Sequence, residues 1–399
     1  MRRFISCAIC VGLWLASASS VIGQQWPQFR GVNAGNVPDD PSLPDRWSET
    51  ENIAWKIDLP GLSWSSPIVW DDHIFVTSAV SAADDEVQPI PGLYDPGEHN
   101  GSVPASGEHR WMVYDIDFQT GAIHWARELH RQVPGITRHL KNSYASETPV
   151  TDGERIYVYF GSIGLLAALD FEGNELWRYE VGTFNTLLDM ATASSPALHD
   201  DRLYVLNDNT SQSFLVALDS RTGEEVWRTS TVALPGQRGG DTWGDLPPMF
   251  RAGSDSWIPG SSDPVTRTLF HGTSQAKPWA RAVRGTDGDA LYTNSTLALD
   301  PDTGEMKWYY QHLPGETLDM DEVFERILVD YDDRRSVFTM GKIGVLWEMA
   351  LQTGRFRNAH DLGYQTVADI DSVTGQVTYR DGTIPVIGEE IYWCPSTAG

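Results

Sequence analysis

Few residues in this chain combine a reactive type with a spacing that chemistry requires. Asp319, Asp321, Glu322 and Glu325 crowd into one short stretch, and read by themselves they form a solvated acidic loop. Cys7 and Cys10 stand at Cys-x-x-Cys spacing, which would suit a redox pair or half a zinc site. They lie, however, inside an N-terminal apolar run that reads as a signal to be removed. His109, His124, His130 and His139 show no ligand spacing. There is no His-Glu-x-x-His helix, no Gly-x-Ser-x-Gly elbow and no phosphate-cradling glycine loop. No Cys-x-x-Cys-His occurs either, which excludes a covalent haem within this sequence. Sixteen tryptophans remain as the other chemical resource, each a broad π face that can pack or stack.

The totals narrow the setting. Met1-Arg2-Arg3, an apolar stretch from Phe4 to about Ala18 and small residues from Ser19 to Gly23 predict a secretory signal peptide over 1–23. Residues 24–399 then form the mature chain, and no second hydrophobic run predicts a membrane span. Against 29 Lys+Arg stand 55 Asp+Glu, a net charge of −26, which argues against nucleic acid or an anionic membrane as partner. Cys394 is left without a sequence partner once Cys7 and Cys10 depart, so its partner is expected in sequence beyond this chain.

The elements that must position any site are legible as repeats. Ala217-x-Asp219-x-x-Thr222-Gly223-x-x-x-Trp227 returns as Ala298-x-Asp300-x-x-Thr303-Gly304-x-x-x-Trp308. Asp117, Thr120, Gly121 and Trp125 repeat it without the leading alanine, and Ala168, Asp170, Gly173 and Trp177 with a turn one residue shorter. Further copies at Thr353-Gly354 and Thr374-Gly375 lack the tryptophan. Each copy predicts two strands joined by a tight turn, with Asp and Thr supplying side-chain hydrogen bonds and Gly the positive φ. The tryptophan would lie across the neighbouring repeat. A second hairpin precedes each copy, at Ser65-Ser66-Pro67, Glu147-Thr148-Pro149 and Ser194-Ser195-Pro196. Two hairpins per unit, recurring about every fifty residues, predict an all-β propeller of four-stranded blades, with no amphipathic helix longer than a turn or two.

This motif resembles the tryptophan-docking motif of the pyrroloquinoline quinone (PQQ) dehydrogenases, an eight-bladed propeller family, and of their non-catalytic PQQ-like relatives. From Trp26-Pro27-Gln28-Phe29-Arg30-Gly31 to about Trp227 the chain is similar to PQQ-like repeat proteins, including those akin to outer-membrane-assembly propellers. From Gly239 onward it resembles the quinoprotein alcohol dehydrogenases. The resemblance implies that Gly240-Asp241-Thr242-Trp243 carries the cofactor floor, with Thr242 beside it and Trp243 stacking on the flat quinone. It implies a metal ligand at Gln275, where a glutamine offers an amide oxygen on a longer arm than the family's asparagine. Within Pro314-Gly315-Glu316-Thr317-Leu318-Asp319-Met320-Asp321 it implies that Asp319 is the general base and a metal neighbour. Asp321 stands where an extra carboxylate accompanies lanthanide rather than calcium use. Lys342, in Gly341-Lys342-Ile343-Gly344, is implied to contact the quinone oxygens.

Departures from the family are equally visible. The family's glutamate ligand, nine residues before the docking alanine, falls here on Asp208, which reads either as an oxygen ligand or as an ordinary turn aspartate. The adjacent cysteine pair that covers the other cofactor face is absent, and about six blade equivalents stand where eight are expected, as in a C-terminally truncated member. The implied function is a periplasmic oxidoreductase that oxidises a small alcohol with PQQ and Ca²⁺ or a lanthanide, passing electrons to a soluble cytochrome c. The alternative is a non-catalytic propeller that serves as an envelope interaction scaffold.

Overall fold

Tryptophan rings join the repeats. Trp125 lies over Gly173 of the next unit and donates its Nε1–H to the carbonyl of Phe171 at 2.7 Å. Trp177 does the same to Ser220 at 3.0 Å, Trp227 to Pro301 at 2.8 Å and Trp308 to Leu351 at 3.1 Å. Trp55, which no repeat motif announces, docks on Gly121 and donates to Phe118 at 3.0 Å. The receiving glycines sit at positive φ, from 66° at Gly354 to 80° at Gly173, and a Cβ at any of them would enter the ring. The turn itself is held as expected: Oδ1 of Asp117 accepts from the amide and hydroxyl of Thr120 at 2.7 and 2.6 Å.

The computed structural model describes residues 25–32, 39–83, 102–103, 107–186, 190–256, 258 and 260–394. The N-terminal segment 1–23, with Cys7 and Cys10, lies outside them, as does most of the insertion between Ala82 and Glu108. Five four-stranded antiparallel sheets follow one another along the chain, spanning Ile68 to Gln132, Val150 to Glu180, Ala197 to Ser230, Ser261 to Gln311 and Ile327 to Asp361. A two-stranded hairpin, Ala368–Ile370 with Val377–Tyr379, begins a sixth unit. Helix is confined to short turns such as Arg281–Arg284, and no helix among the described residues is long and apolar enough to cross a membrane.

The core lies between blades rather than within them. In the strand Leu165–Asp170, Leu165, Ala167 and Leu169 face the first blade, whereas Leu166 and Ala168 face the third, as the two-residue period of a strand dictates. Because both faces are covered, such strands read as near-continuous apolar runs, while outermost strands such as Glu175–Glu180 are largely exposed. The second sequence repeat has a matching role. The amide of Ser66 donates to Oγ1 of Thr148 at 3.0 Å and the amide of Thr148 to Oγ of Ser195 at 2.9 Å, so hydroxyls stitch successive blades together.

Candidate functional site

Loops from several blades converge on one cavity of about 500 Å³. Asp208 follows the strand Arg202–Asn207, and Asp319 and Asp321 lie in the long connection between the fourth and fifth blades. Gln275 and Lys277 occupy the segment after Thr268–Gly272, where Ala276–Lys277 pairs with Ala252–Gly253. Lys342 sits in the turn between Arg334–Met340 and Val345–Ala350. All six line the cavity, together with Asp255 and Trp279.

The acidic loop is fixed rather than floating. Arg281 and Arg284 donate to the carbonyl of Gly315 at 2.8 and 3.0 Å, and Arg284 also reaches that of Glu316. Asp319 adopts φ of +63°, a left-handed conformation that aspartate tolerates better than most residues, and its side chain is half exposed to the cavity. Nε2 of Gln275 donates to Oδ1 of Asp319 at 2.5 Å, and the Gln275 amide to Oδ1 of Asp321 at 3.2 Å. Lys342 Nζ lies 2.7 Å from Oδ2 of Asp321 and 3.2 Å from Oδ2 of Asp319. The acidic stretch is therefore no simple solvated loop: Asp321 and Glu322 are buried.

Burial governs the charges. It raises the pKa of Asp321, with Lys342 pulling the other way. Burial works against the charge of Lys342, but Asp321 and Asp319 outweigh it and hold the ammonium above the usual lysine value. Asp208 is pushed up to about 6 by burial, against the pull of Lys277 and a 2.7 Å bond from Ser213. Lys277 is lowered by burial, partly offset by Asp208 and Asp321, and it pairs with Asp255. Behind the loop, burial lifts Glu316 to about 7 and Glu322 to about 8.

The donor set suits a hard cation. Oε1 of Gln275 is buried without a hydrogen-bond partner, and the carboxylates of Asp208, Asp319 and Asp321 share its cavity, giving oxygens alone. Two lysines and the flat ring of Trp279, 41% exposed, suit a planar acidic ligand.

Two expected residues lie elsewhere. Trp243 is fully buried in the core between the third and fourth blades, donates to the carbonyl of Leu291 at 2.5 Å and is not part of the cavity lining. Thr242 bonds the carbonyl of Gly239 at 2.6 Å and accepts from the amide of Leu291 at 2.9 Å, tying down the same loop. Sequence reasoning missed Asp255, Lys277 and Trp279 as a group. The signal was present, since Lys277 and Trp279 fall within the same stretch as Gln275.

Residues 96–246 match the family model described as outer membrane protein assembly factor BamB, and residues 235–356 that described as glucose/ethanol/alcohol dehydrogenase, beta-propeller domain. The quinohemoprotein alcohol dehydrogenase ADH IIB of Pseudomonas putida is 29% identical over 415 residues, covering 97% of this chain and 53% of that protein. The quinohemoprotein alcohol dehydrogenase of Comamonas testosteroni is 28% identical over 378 residues, covering 86% of this chain and 49% of that protein. The chain thus spans about half the length of the curated relatives it matches. Among solved structures, a europium-containing methanol dehydrogenase superposes with a TM-score of 0.62 at 18% identity, covering 83% of this chain and 56% of that one.

Proposed function

We propose that this chain, whose residues 96–246 and 235–356 match two PQQ-type propeller models, is a quinoprotein oxidoreductase that oxidises a small alcohol. The observation supporting this reading is the meeting of Asp208, Gln275, Asp319, Asp321 and Lys342 around one cavity, although they are scattered over more than a hundred residues of sequence. When bound there, PQQ is the hydride acceptor, and a Ca²⁺ or lanthanide ion supplies Lewis acidity.

The chain's own residues have separable roles in this proposal. Asp319 takes the alcohol's hydroxyl proton on a carboxylate oxygen, and its exposure leaves it within reach of a substrate entering the cavity. Gln275 orients Asp319 through its amide N–H and offers its unpartnered oxygen to the cation. Asp208 and Asp321 complete the oxygen set. Lys342 and Lys277 supply positive charge to an anionic cofactor, and Trp279 a flat wall. Trp243 and Thr242 act as positioning residues that hold the Gly239–Gly244 turn. Export to the periplasm through the 1–23 segment and transfer of electrons to a soluble cytochrome c belong to the same proposal.

The scaffold reading is favoured by one observation, the match of residues 96–246 to the assembly-factor model. A titration of the purified protein with PQQ, in Ca²⁺ and separately in La³⁺, distinguishes the two. Metal-dependent quenching of tryptophan fluorescence and dye reduction with ethanol, with reduction abolished in Asp319→Ala, is the expected result. Folded protein that shows no quenching with either metal would overturn the enzyme and leave the scaffold.

A further inference from the structure

Away from the cavity, three side chains of the first blade meet as no other group does among the described residues. Nδ1 of His73 lies 3.0 and 2.9 Å from the two oxygens of Asp115, and Nδ1 of His124 lies 3.1 Å from Oδ2 of Asp115. One ligand atom from each of the three residues lies within 4.8 Å of the other two. We propose that His73, Asp115 and His124 form a binding site for a borderline divalent transition cation, with Zn²⁺ as the representative ion.

The repeats show how unusual this arrangement is. Asp115 pairs with Trp125 across the outer strand pair, as Ala168 pairs with Trp177, Ala217 with Trp227 and Ala298 with Trp308. Asp115 therefore occupies the docking motif's alanine position. Each pair is followed by a β-bulge, and the extra residue is His124 in the first blade, Leu176, Val226 and Lys307 in the next three, and Arg357 in the fifth. A bulge re-aims a side chain, here toward the position beside it on the neighbouring strand.

Only the fifth blade, among these, also carries an acid at the alanine position. Glu348 there accepts from Tyr331 at 2.6 Å and from Ser336 at 2.7 Å, with the Arg357 guanidinium 3.6 Å away. Ser336 and Arg357 stand where His73 and His124 stand in the first blade. The fifth blade thus meets its acid with a permanent cation. The first meets a carboxylate whose side chain is 1% exposed with two imidazoles, the commonest transition-metal ligands.

The details fit an ion. Nitrogen and oxygen donors held by one tetrahedral Zn²⁺ stand about 3.3 Å apart, so only a few tenths of an ångström separate each His–Asp spacing from a coordinated pair, and the two imidazoles, with ligand atoms within 4.8 Å of each other, would close around the ion. Two imidazoles and one carboxylate select Zn²⁺-like ions over Ca²⁺. Nε2 of His124 faces Oδ2 of Asp117 at 3.5 Å, the outer carboxylate that ligating histidines commonly engage. The side chains of His73 and His124 are 31% and 38% exposed, which gives an ion access and leaves room for water ligands. Bound, the ion would tie together His73–Ser81, His109–Asp117 and Ile123–Gln132.

The experiment uses tag-free full chain, stripped by chelator and dialysed against Zn²⁺ in excess Ca²⁺, with bound zinc counted and Co²⁺ absorption recorded as a geometric check. Wild type should retain one equivalent that is lost in Asp115→Ala. The variant H73S/D115E/H124R, which installs the fifth blade's serine, glutamate and arginine and so keeps the acid paired, should lose the same equivalent while unfolding at the temperature of metal-free wild type. Zinc retained in full by that folded variant, or no zinc retained by wild type, would overturn the site.

Discussion

The ammonium of Lys342 lies 2.7 Å from Oδ2 of Asp321, whose side chain is 4% exposed. Removing one partner of a buried pair strands the other as an uncompensated charge, at a cost of about 3–5 kcal/mol. Lys342→Met should therefore destabilise the protein by roughly 3 kcal/mol, and adding Asp321→Asn should restore most of it. Urea denaturation of the two single variants and the double variant closes the cycle. If the double variant is as unstable as Lys342→Met, the pair is not what holds this loop.

Trp243 and Trp279 should separate cleanly in fluorescence. Trp279 lines the cavity, whereas Trp243 is sealed in the core. Trp279→Phe is expected to remove much of the quenching by added PQQ with little change in stability. Trp243→Ala is expected to cost about 3–5 kcal/mol, and Trp243→Phe should leave the quenching of the folded protein intact. Quenching lost in Trp243→Phe and kept in Trp279→Phe would reverse the assignment.

The blades were legible because a turn, a docking ring and a strand pair must recur together, and Asp219, Gly223 and Trp227 write that requirement into the sequence. Trp55 was not, since it docks without a repeat motif of its own before it. Spacing alone leaves Asp319 and Asp321 as a solvated acidic stretch; the resemblance groups Gln275, Lys342 and Asp208 with them, and the fold brings all five to one cavity from different loops. Trp243 stands in the core and not at the cavity lining, and the sequence could not show this because a buried aromatic and a stacking aromatic have the same letter. The His73, Asp115 and His124 cluster is spread over three strands, so no local spacing reveals it. Its one trace was the missing alanine before Asp117.

Glu147 offers a pH signature. It is 2% exposed, its Oε1 accepts from Thr192 at 2.5 Å and from the Gly161 amide at 3.2 Å, and Oε2 has no hydrogen-bond partner. Burial pushes it from 4.5 up to about 7. A carboxyl raised in the folded state favours folding fully below its unfolded pKa and loses that contribution as pH rises through its folded value. Glu147→Gln should thus gain stability relative to wild type between pH 5 and pH 8, by at most about 3 kcal/mol. Thermal melts across that range test the direction, and a gap that narrows as pH rises would contradict it.

The docking of Trp227 on Gly304 can be divided into a backbone part and a packing part. Gly304 has φ of +68° and the Trp227 ring where a Cβ would stand, whereas Gly236, at +81°, has nothing within 4 Å. Gly236→Ala should then cost only the left-handed penalty, roughly 1–2 kcal/mol. Gly304→Ala must also displace a ring whose Nε1–H is tied to Pro301 at 2.8 Å, so it should cost clearly more. Trp227→Ala should remove about 3–5 kcal/mol by itself. In that background Gly304→Ala should fall back toward the cost seen at Gly236, because the ring it collides with is gone and only the Thr229 hydroxyl, 2.7 Å from the added Cβ, still has to shift. Denaturant midpoints for the four variants measure this, and a Gly304→Ala cost unchanged by the loss of Trp227 would show that the glycine is required by its φ alone.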